Sequence, residues 1–246
     1  RGLGDVYKRQ REGYPLNSIF GLRYCGKIQT EEQLQKYVNK YKNNSSIGTL
    51  NNLRLGDNMF EDVNKDGKLD AEDLVYLGTD DPKMQFSINA GVEWKGLDFS
   101  IVFQGAGKRT VWREKSTWRI PMRTTYQNGS NQFIGNTWTP ENTGAYYPAL
   151  TNKSELNNYN YQCSSWSVED GSYLRLKNVT LGYTLPSSLL AKTKVLSKVR
   201  FYVSGSDLWE HSNISDGWDP EASSEVDNAK RYPFLRTVTF GLNLTF

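Results

Sequence analysis

The sequence predicts an all-β fold made of strands from a large antiparallel β-barrel that spans a membrane, with long extracellular loops and a few short helices. Three observations support this fold class. The last stretch of the chain alternates between apolar and polar residues, the connections between alternating stretches are short and long in turn, and aromatic residues make up 13% of the 246 residues. We expect the barrel to be incomplete within this chain.

The last stretch, 233–246, reads PFLRTVTFGLNLTF. Apolar residues fill every second position from Phe234 to Phe246 except Arg236, and from Thr237 onward small polar residues or glycine lie between them. This period of two is typical of a β-strand with one apolar face. The run is long enough to cross a bilayer as a tilted strand, which takes about 9–11 residues. A half-buried strand of a soluble sandwich alternates in the same way, so this stretch alone leaves both architectures open.

Four further stretches alternate in the same way, namely 84–94, 97–105, 172–185 and 198–208. A two-residue turn at Lys95 and Gly96 predicts a hairpin between the first two, and a connector at Pro186 joins the other two. The remaining loops, 106–171 and 209–232, are long. Short periplasmic turns that alternate with long external loops are typical of outer-membrane barrels. Five strands do not close a barrel, so we expect one end of a larger protein with a periplasmic C-terminus.

Composition excludes several other classes of protein. No run of 18 apolar residues is present, so the sequence predicts no transmembrane helix. The mean hydropathy of -0.67 is compatible with a membrane barrel, because barrel strands alternate and their loops are polar. A net charge of +3 is too small to indicate nucleic-acid binding.

The sequence contains no arrangement typical of catalysis, so we predict a protein that is not an enzyme. The only histidine, His211, is predicted to lie in a loop, and one histidine excludes most His-based catalytic and metal schemes. No acid/base pair, activated nucleophile or phosphate-binding glycine loop is evident. Cys25 and Cys163 lie far apart, so a disulfide and two free thiols both remain open.

The chain before residue 84 divides into two parts. Residues 1–10, RGLGDVYKRQ, resemble a translated sequencing adapter, so we expect them to be non-native and the natural sequence to begin near Arg11. Residues 11–83 are predicted to form an extracellular loop region. Within it, Thr30 and Gln33 have the spacing of a capping box, and apolar residues follow at helical intervals, which predicts a short helix.

An acidic loop at 62–73, DVNKDGKLDAED, fits the ligand spacing of an EF-hand calcium site. Gly67 allows the tight turn, and the carboxylates repel one another unless a cation lies between them. The last ligand is Asp instead of Glu and a full helix-loop-helix is doubtful, so a solvated acidic turn remains the alternative to Ca²⁺. The predicted ligands are Asp62, Asn64, Asp66, the carbonyl of Lys68, Asp70 and Asp73.

Aromatic side chains in the long loops are candidates for stacking on sugar rings or packing against peptides. The alternative is that they pack the loops, brace a partner protein or belong to the aromatic girdle at the membrane interface. Trp94 and Tyr183 fit the girdle better than a ligand site. The candidates for ligand contact are Trp112, Trp118, Trp138, Tyr146, Tyr147, Trp166, Trp209 and Trp218.

Several motifs occur in a fixed order between Arg11 and Phe246. They are EGYP followed by SIFGLRYCGKIQTEE, then EDVNKDGKLDAEDLVYLG, TWTPENTGAYYPAL, DGSYLRLKNVTLGYTLP and the terminal TVTFGLNLTF. Together they resemble the C-terminal part of the SusC/RagA family of TonB-dependent outer-membrane transporters. One departure is Cys25, where the family commonly has Asp.

The resemblance implies a barrel of about 22 strands around an N-terminal plug, in the outer membrane of a Gram-negative cell. It further implies import of oligosaccharides or peptides, a SusD-like surface lipoprotein as a lid, and energy from TonB through the N-terminal part. Outer-membrane lipid would surround the strands. The main alternative from the residues themselves is a secreted, calcium-stabilised β-sandwich that binds glycans; a glycoside hydrolase lacks the required carboxylate evidence.

Overall fold

The structure is a computed structural model that describes residues 11–41, 50–112, 131–191, 195–214, 218–221 and 235–246. Residues 1–10 and the candidate Trp118 lie outside these ranges. The chain divides into two compact units. Of the described residues, unit 1 comprises 11–41, 50–81, 110–112 and 131–170, and unit 2 comprises 82–109, 171–191, 195–214, 218–221 and 235–246.

The secondary structure of the described residues is mainly β. The strands are β1 (Ser18–Gly21), β2 (Tyr24–Lys27), β3 (Asn58–Phe60), β4 (Val75–Thr79), β5 (Met84–Trp94), β6 (Leu97–Gly107), β7 (Thr110–Val111), β8 (Glu169–Asp170), β9 (Tyr173–Thr184), β10 (Lys198–Ser212) and β11 (Thr237–Thr245). The α-helices are α1 (Glu31–Tyr41), α2 (Ser154–Asn160) and α3 (Ser187–Leu190). Short 3₁₀ helices occur at Leu50–Asn52, Ala71–Asp73 and Asn131–Phe133. Among the described helices, none is both long and apolar enough to cross a membrane.

Unit 2 contains an antiparallel sheet with the strand order β11-β10-β9-β6-β5. All five strands predicted from alternation are present, and the sheet is open at β5 and β11 in the described residues. The hairpin turn was also predicted correctly. Lys95 and Gly96 have φ angles of 49° and 87°, the left-handed values that a two-residue turn requires.

Strand β10 is longer than the sequence predicted, which corrects two assignments. Its pairing with β9 shifts between Ser206 and Trp209 and then continues to Ser212. Trp209 and His211 therefore lie on a strand and not in the loop that follows. The bulge includes Asp207, whose φ is 57°, and it interrupts the period of two that predicted where the strand ends.

The two faces of the unit 2 sheet differ completely in character. On one face, apolar side chains lie side by side across all five strands, as in the row Val92, Phe99, Leu181, Val203 and Phe240. This face is exposed within the described structure: Val92 is 61% and Phe240 81% accessible. A sheet in a soluble core would bury such a face.

The opposite face carries small polar side chains that bond to one another across strands. Thr180 Oγ1 donates to Asn178 Oδ1 over 3.0 Å and contacts Ser204 Oγ over 3.1 Å. Nearer the hairpin turn, Arg200 Nε donates to Asp98 Oδ1 over 2.9 Å. This pair passes directly over Gly182, where a Cβ atom would lie 2.5 Å from the charged groups. This face, called the polar face below, is therefore suited to water and not to lipid.

Unit 1 has an apolar core of its own, although the sequence analysis predicted its two segments as loops. The predicted helix is present as α1, and Gln33 N donates to Thr30 Oγ1 over 3.2 Å at its start. Side chains of α1, including Leu34, pack with Phe60 and Leu156 from distant parts of the chain. Cys25 is exposed and Cys163 is buried, and no disulfide joins the two.

A buried polar network holds α2 of unit 1 beside β3. Asn160 Nδ2 donates to Asp57 Oδ1 over 2.8 Å, and Arg54 N donates to Asp57 Oδ2 over 2.9 Å. Asn58 and Asn160 join the strand to the helix through two more bonds, of 2.8 and 2.9 Å. Burial raises the pKa of Asp57, while the bonds from Asn160 and Arg54 oppose that rise.

Candidate functional site

Three of the predicted ligand-binding aromatics meet in unit 1. Tyr146, Tyr147 and Trp166 pack together with Tyr24 and Tyr161, and we call these five residues the aromatic cluster. The Trp166 ring lies at its centre, with centroid distances of 5.4 Å to Tyr146, 5.6 Å to Tyr161 and 6.3 Å to both Tyr147 and Tyr24. Most of these contacts are edge-on or tilted, a geometry that stabilises aromatic pairs.

Backbone hydrogen bonds fix the positions of the cluster residues. Tyr24 opens β2, and its N–H donates to Ser165 Oγ over 3.0 Å, which brings the turn that carries Trp166 beside the strand. The same turn is tied down by a bond of 2.9 Å from Ser165 N to Leu22 O. Tyr147 bonds to Asn136 and Trp138 through its backbone over 2.9 and 3.0 Å.

The aromatic cluster combines an exposed ring with a buried polar atom. Tyr146 is 49% accessible, whereas Tyr161 is buried. The indole Nε1 of Trp166 is buried and has no hydrogen-bond partner among the described residues. Such a ring surface is suited to stacking against a flat or apolar group of a ligand, with phenol groups at its edge.

The charge beside the aromatic cluster comes from Lys27. Its Nζ donates to Ala145 O over 2.8 Å and lies 6.0 Å from the centre of the Tyr24 ring. Burial lowers the pKa of Lys27 and raises the pKa of Tyr24, whose phenol therefore stays protonated at neutral pH. The cluster thus offers neutral rings beside one ammonium group.

The other predicted aromatics occupy different environments. Trp112 is buried against Ile19 and Cys163. Trp138 is also buried, donates its Nε1 to Gln29 Oε1 over 2.8 Å, and lies where a side chain on Gly56 would stand. Both side chains contribute packing within unit 1.

Trp209 and Trp218 both lie in unit 2. Trp209 stacks on His211 at a centroid distance of 6.5 Å, and its register with Leu176 places it on the apolar face of the sheet. That position is typical of an aromatic girdle. Trp218 is half-buried just after the segment 215–217, which lies outside the described residues.

The acidic loop is folded by bonds from its own backbone to its side chains. Gly67 N donates to Asp62 Oδ2 over 3.0 Å, Asp66 N to Asn64 Oδ1 over 3.0 Å, and Lys68 N to Asp66 Oδ1 over 2.8 Å. Asp73 accepts from Val63 N and Asp70 N over 2.8 and 3.0 Å. Gly67 adopts φ 84°, as the predicted turn requires.

Two observations bear on a cation in this loop. In the described ranges, no three Asp, Glu, His or Cys side chains are grouped closely enough to hold a metal ion. Asp62 Oδ1, however, is buried without a hydrogen-bond partner, while its Oδ2 lies 3.7 Å from Lys40 Nζ. The donor set is made of oxygen atoms, which suits Ca²⁺ chemically, and the unsatisfied oxygen of Asp62 is the one that a cation would satisfy.

Sequence reasoning missed Tyr24 and Tyr161 as members of the aromatic cluster. Tyr24 lies 141 residues from the Ser165 hydroxyl that holds it, and no local pattern reports a contact of that range. It also missed a buried ion cluster around Arg175 in unit 2, because Arg175 looks like an ordinary polar position of an alternating strand. The charges at 210, 219 and 221 surround it only after the strands pair.

Comparison with known proteins gives consistent relatives. No family model matches the chain. TonB-dependent receptors P3 and P26 of Formosa agariphila are 31% and 30% identical over 99% of this chain and 24% of each receptor. TonB-dependent receptor SusC of Bacteroides thetaiotaomicron is 28% identical over 77% of the chain and 18% of SusC. The chain thus spans about a quarter of the length of the first two curated relatives.

Solved structures show the same fold. The RagAB peptide transporter matches with a TM-score of 0.70 and 21% identity, over 100% of this chain and 24% of the other. The RagAB peptide importer in its open-open state matches with a TM-score of 0.68 and 21% identity, over 100% and 24% of the two chains. The solved structures thus share the fold of this chain. The ordered motifs and the curated relatives show that the chain belongs to the SusC/RagA family of TonB-dependent receptors.

Proposed function

We propose that this chain forms strands of the barrel wall of a TonB-dependent transporter that imports oligosaccharides or peptides across the outer membrane. The observation that carries the proposal is the exposed apolar face that runs across β5, β6, β9, β10 and β11. TonB-dependent receptors are outer-membrane proteins, and a bilayer supplies the apolar surroundings that this face needs.

The secreted β-sandwich is less well supported by the same observation. A sandwich buries the apolar faces of its sheets against each other. In unit 2 the apolar side chains are exposed and the small polar ones bond to one another on the opposite face, which suits lipid outside and water inside. Among the described residues, no acid/base arrangement supports an enzyme as a second candidate.

The transport proposal is tested on the full-length gene product in its own cells. We expect it in the outer-membrane fraction, with a gel mobility that changes on boiling, as an intact barrel gives. We also expect labelled gluco-oligosaccharides or labelled oligopeptides to enter energised cells and not cells treated with an uncoupler. A soluble product, or uptake of both probes that is unchanged when the gene is deleted, would contradict the proposal.

Two partners follow from the proposed function. A SusD-like surface lipoprotein would cover the extracellular side, and TonB would engage the N-terminal part of the full-length protein. Co-purification from outer membranes with the lipoprotein is the expected result, and recovery of the transporter alone under mild detergent would count against the lid.

We place the cargo contact of this chain at the aromatic cluster. Trp166 and the exposed Tyr146 offer ring surface next to phenol groups. We expect Trp166→Ala together with Tyr146→Ala to weaken binding of the transported probe about tenfold. The matched control is Tyr14→Ala, an aromatic of unit 1 with a similar accessibility of 48%. An equal loss of probe affinity in the cluster variant and in Tyr14→Ala, or no loss in either, would show that the cluster does not bind the cargo.

For the acidic loop we propose Ca²⁺ as a structural ion. Asp62, Asn64, Asp66, the Lys68 carbonyl, Asp70 and Asp73 would hold it, and its role would be to fix the loop by neutralising the carboxylates. The buried, unsatisfied Asp62 Oδ1 supports this assignment.

Calcium binding is measured by calorimetry and by thermal unfolding of the full-length protein. At a concentration of about 100 times Kd, Ca²⁺ should stabilise the loop-bearing unit by about 2.7 kcal/mol. We expect Asp62→Asn with Asp66→Asn to abolish both signals, and Asp81→Asn outside the loop to leave them unchanged. A wild-type protein without a calcium signal would favour the solvated acidic turn.

A further inference from the structure

A short acidic segment of unit 2 is held by basic side chains on β9 and just after the end of β6. The segment is 218–221, and we call it the strap. Asp219 Oδ1 accepts from Arg175 over 2.8 Å, the Pro220 carbonyl accepts from Arg109, and Glu221 Oε1 lies 2.7 Å from Arg175 Nη1. Asp219, Pro220 and Glu221 are thus each held by an arginine side chain. Arg175 of β9 holds the two carboxylates, and Arg109 holds the Pro220 carbonyl.

Arg175 is the centre of this arrangement. It lies on β9 and its side chain is fully buried, and its Nε donates to Glu210 Oε2 on β10 over 2.9 Å. Its Nη2 contacts both Glu210 and Asp219, and its Nη1 lies within ion-pair distance of Glu221, so one guanidinium joins β10 to the strap. A lysine would keep the positive charge but lacks the planar fork of five N–H donors, so it would not reproduce contacts in these fixed directions.

A third basic side chain, after Arg175 and Arg109, also holds the strap. Lys177 Nζ lies 3.3 Å from Glu221 Oε1 and 3.4 Å from Asp207 Oδ1. The strap also stabilises its own turn, since Glu221 N donates to Asp219 Oδ1 over 3.0 Å. Asp219 therefore orders the turn and anchors it with the same oxygen.

The register places these contacts on the polar face. Arg175 pairs with Gln104 of β6 and with Glu210 of β10, both on the polar face, far from the Lys95–Gly96 turn. The strap lies against this end of the face. In the proposed barrel the polar face lines the lumen, and the end far from the short turn is its extracellular mouth.

We propose that Arg175 is a positioning residue that latches the strap across the polar face at the outer mouth of the lumen. The functional side of this inference rests on the proposed transporter, but the latch itself is a property of unit 2. Asp219 and Glu221 are partly exposed to solvent, with 27% and 28% of their side chains accessible. Salt should therefore loosen the latch from the strap side while Arg175 stays paired with Glu210.

Hydrogen exchange measured by mass spectrometry on the full-length protein in lipid nanodiscs tests the latch. We expect Asp219→Asn with Glu221→Gln to speed exchange in the peptide that covers the strap by about tenfold. Peptides of β5 and β6 should keep their wild-type rates. Asp219 and Glu221 are only partly buried, so their substitution avoids the folding defect that removal of the buried Arg175 could cause.

The matched control is Asp98→Asn, which breaks the other ion pair on the polar face, with Arg200. It should leave strap exchange unchanged. Arg175→Lys keeps the positive charge and should still speed strap exchange. Wild-type exchange in Arg175→Lys would mean that any basic side chain holds the strap, and would contradict a specific role of Arg175. Unchanged exchange in the strap double variant, or an equal rise in the control, would overturn the latch. The exchange experiment contains no cargo. If the transport assay contradicted the proposed function, the exchange result for the strap would therefore still be valid.

Discussion

The two units use the same kinds of apolar residue in opposite ways. In unit 1, Phe60 is 1% accessible and packs within a core that α1, β3 and α2 share. In unit 2, the comparable Phe240 is 81% accessible and belongs to an apolar face that the described residues leave uncovered. Unit 1 therefore supplies its own apolar environment, whereas the apolar face of unit 2 has none among the described residues.

The difference teaches where the hydrophobic stabilisation of each unit comes from. In unit 1, each Å² of apolar area that is removed from water stabilises the fold by about 25 cal/mol. In the proposed barrel, the same gain in unit 2 would depend on contact with lipid, while hydrogen bonds of the sheet and of the polar face hold the strands together. Substitutions that are severe in one unit should be mild in the other, and four of them test this in order of expected size.

Phe60→Ala should have the largest effect. It removes a fully buried ring from the core of unit 1, where the ring packs edge-on against Tyr159 at a centroid distance of 5.3 Å. We expect a loss of about 3–5 kcal/mol in the free energy of unfolding, measured by hydrogen exchange of unit 1 peptides in the full-length protein. The control Ile134→Ala, at a 77% accessible position, should cost little. A small loss for Phe60→Ala would mean that unit 1 has no core of its own.

Phe240→Arg is the corresponding test of the apolar face. An exposed phenylalanine in water tolerates arginine, but on a lipid-facing strand arginine costs about 2–4 kcal/mol near the middle of the bilayer. Urea unfolding of the full-length protein in lipid vesicles measures this cost. Thr239→Arg, one residue away on the polar face, should cost much less. If both variants lose the same stability, the two faces do not differ in their surroundings.

Gly96→Ala should have an intermediate effect, localised to the hairpin. Its φ of 87° is a left-handed conformation, and a Cβ atom there would lie 2.6 Å from the Thr184 carbonyl oxygen. We expect a loss of about 1–2 kcal/mol in the same urea assay. Gly91→Ala is the control, because its Cβ would meet only an ordinary contact of 3.5 Å. An equal loss of stability in Gly96→Ala and Gly91→Ala would contradict a left-handed turn at Gly96.

The smallest expected effect is a pH dependence in unit 1 that comes from Asp57. Burial raises its pKa in the folded state, so the folded state binds this proton more tightly than the unfolded state. The resulting stabilisation is complete below the unfolded pKa of about 3.9 and is lost as pH rises through the folded pKa.

Asp57→Asn should remove this part of the pH dependence. The measurement is the difference in unit 1 stability between wild type and Asp57→Asn from about pH 3 to about pH 7. We expect the wild type to lose stability relative to the variant as pH rises. Glu141→Gln, an exposed carboxylate of unit 1, is the control and should give a flat difference. A flat difference for Asp57→Asn as well would contradict the role of burial.

The strands of unit 2 were predictable from sequence because their signal is local. A period of two and a two-residue turn at Lys95 and Gly96 depend on neighbouring residues alone. The end of β10 was missed where the bulge at Asp207 changes the period. The core of unit 1 was not predicted, since β1 pairs with β4 and Phe60 meets Tyr159 only across long stretches of chain.

The candidate site was predictable in part for the same reason. Aromatic residues in the long loops were identified by type, and Tyr146, Tyr147 and Trp166 do meet in one cluster. Sequence alone does not separate these from Trp112 and Trp138, which pack inside unit 1. The acidic loop has the turn that its glycine predicted, because ligand spacing and turn lie within one short segment.

The measurement that tests the central claim most directly is a nitroxide scan along β11 in the full-length protein reconstituted in lipid. One label at a time would replace residues 238–244, and its access to oxygen and to a water-soluble nickel complex would be read by paramagnetic resonance. We expect oxygen access at Val238, Phe240, Leu242 and Leu244, and access for the nickel complex at Thr239, Gly241 and Asn243. No alternation, or the opposite phase, would contradict a lipid-facing apolar sheet.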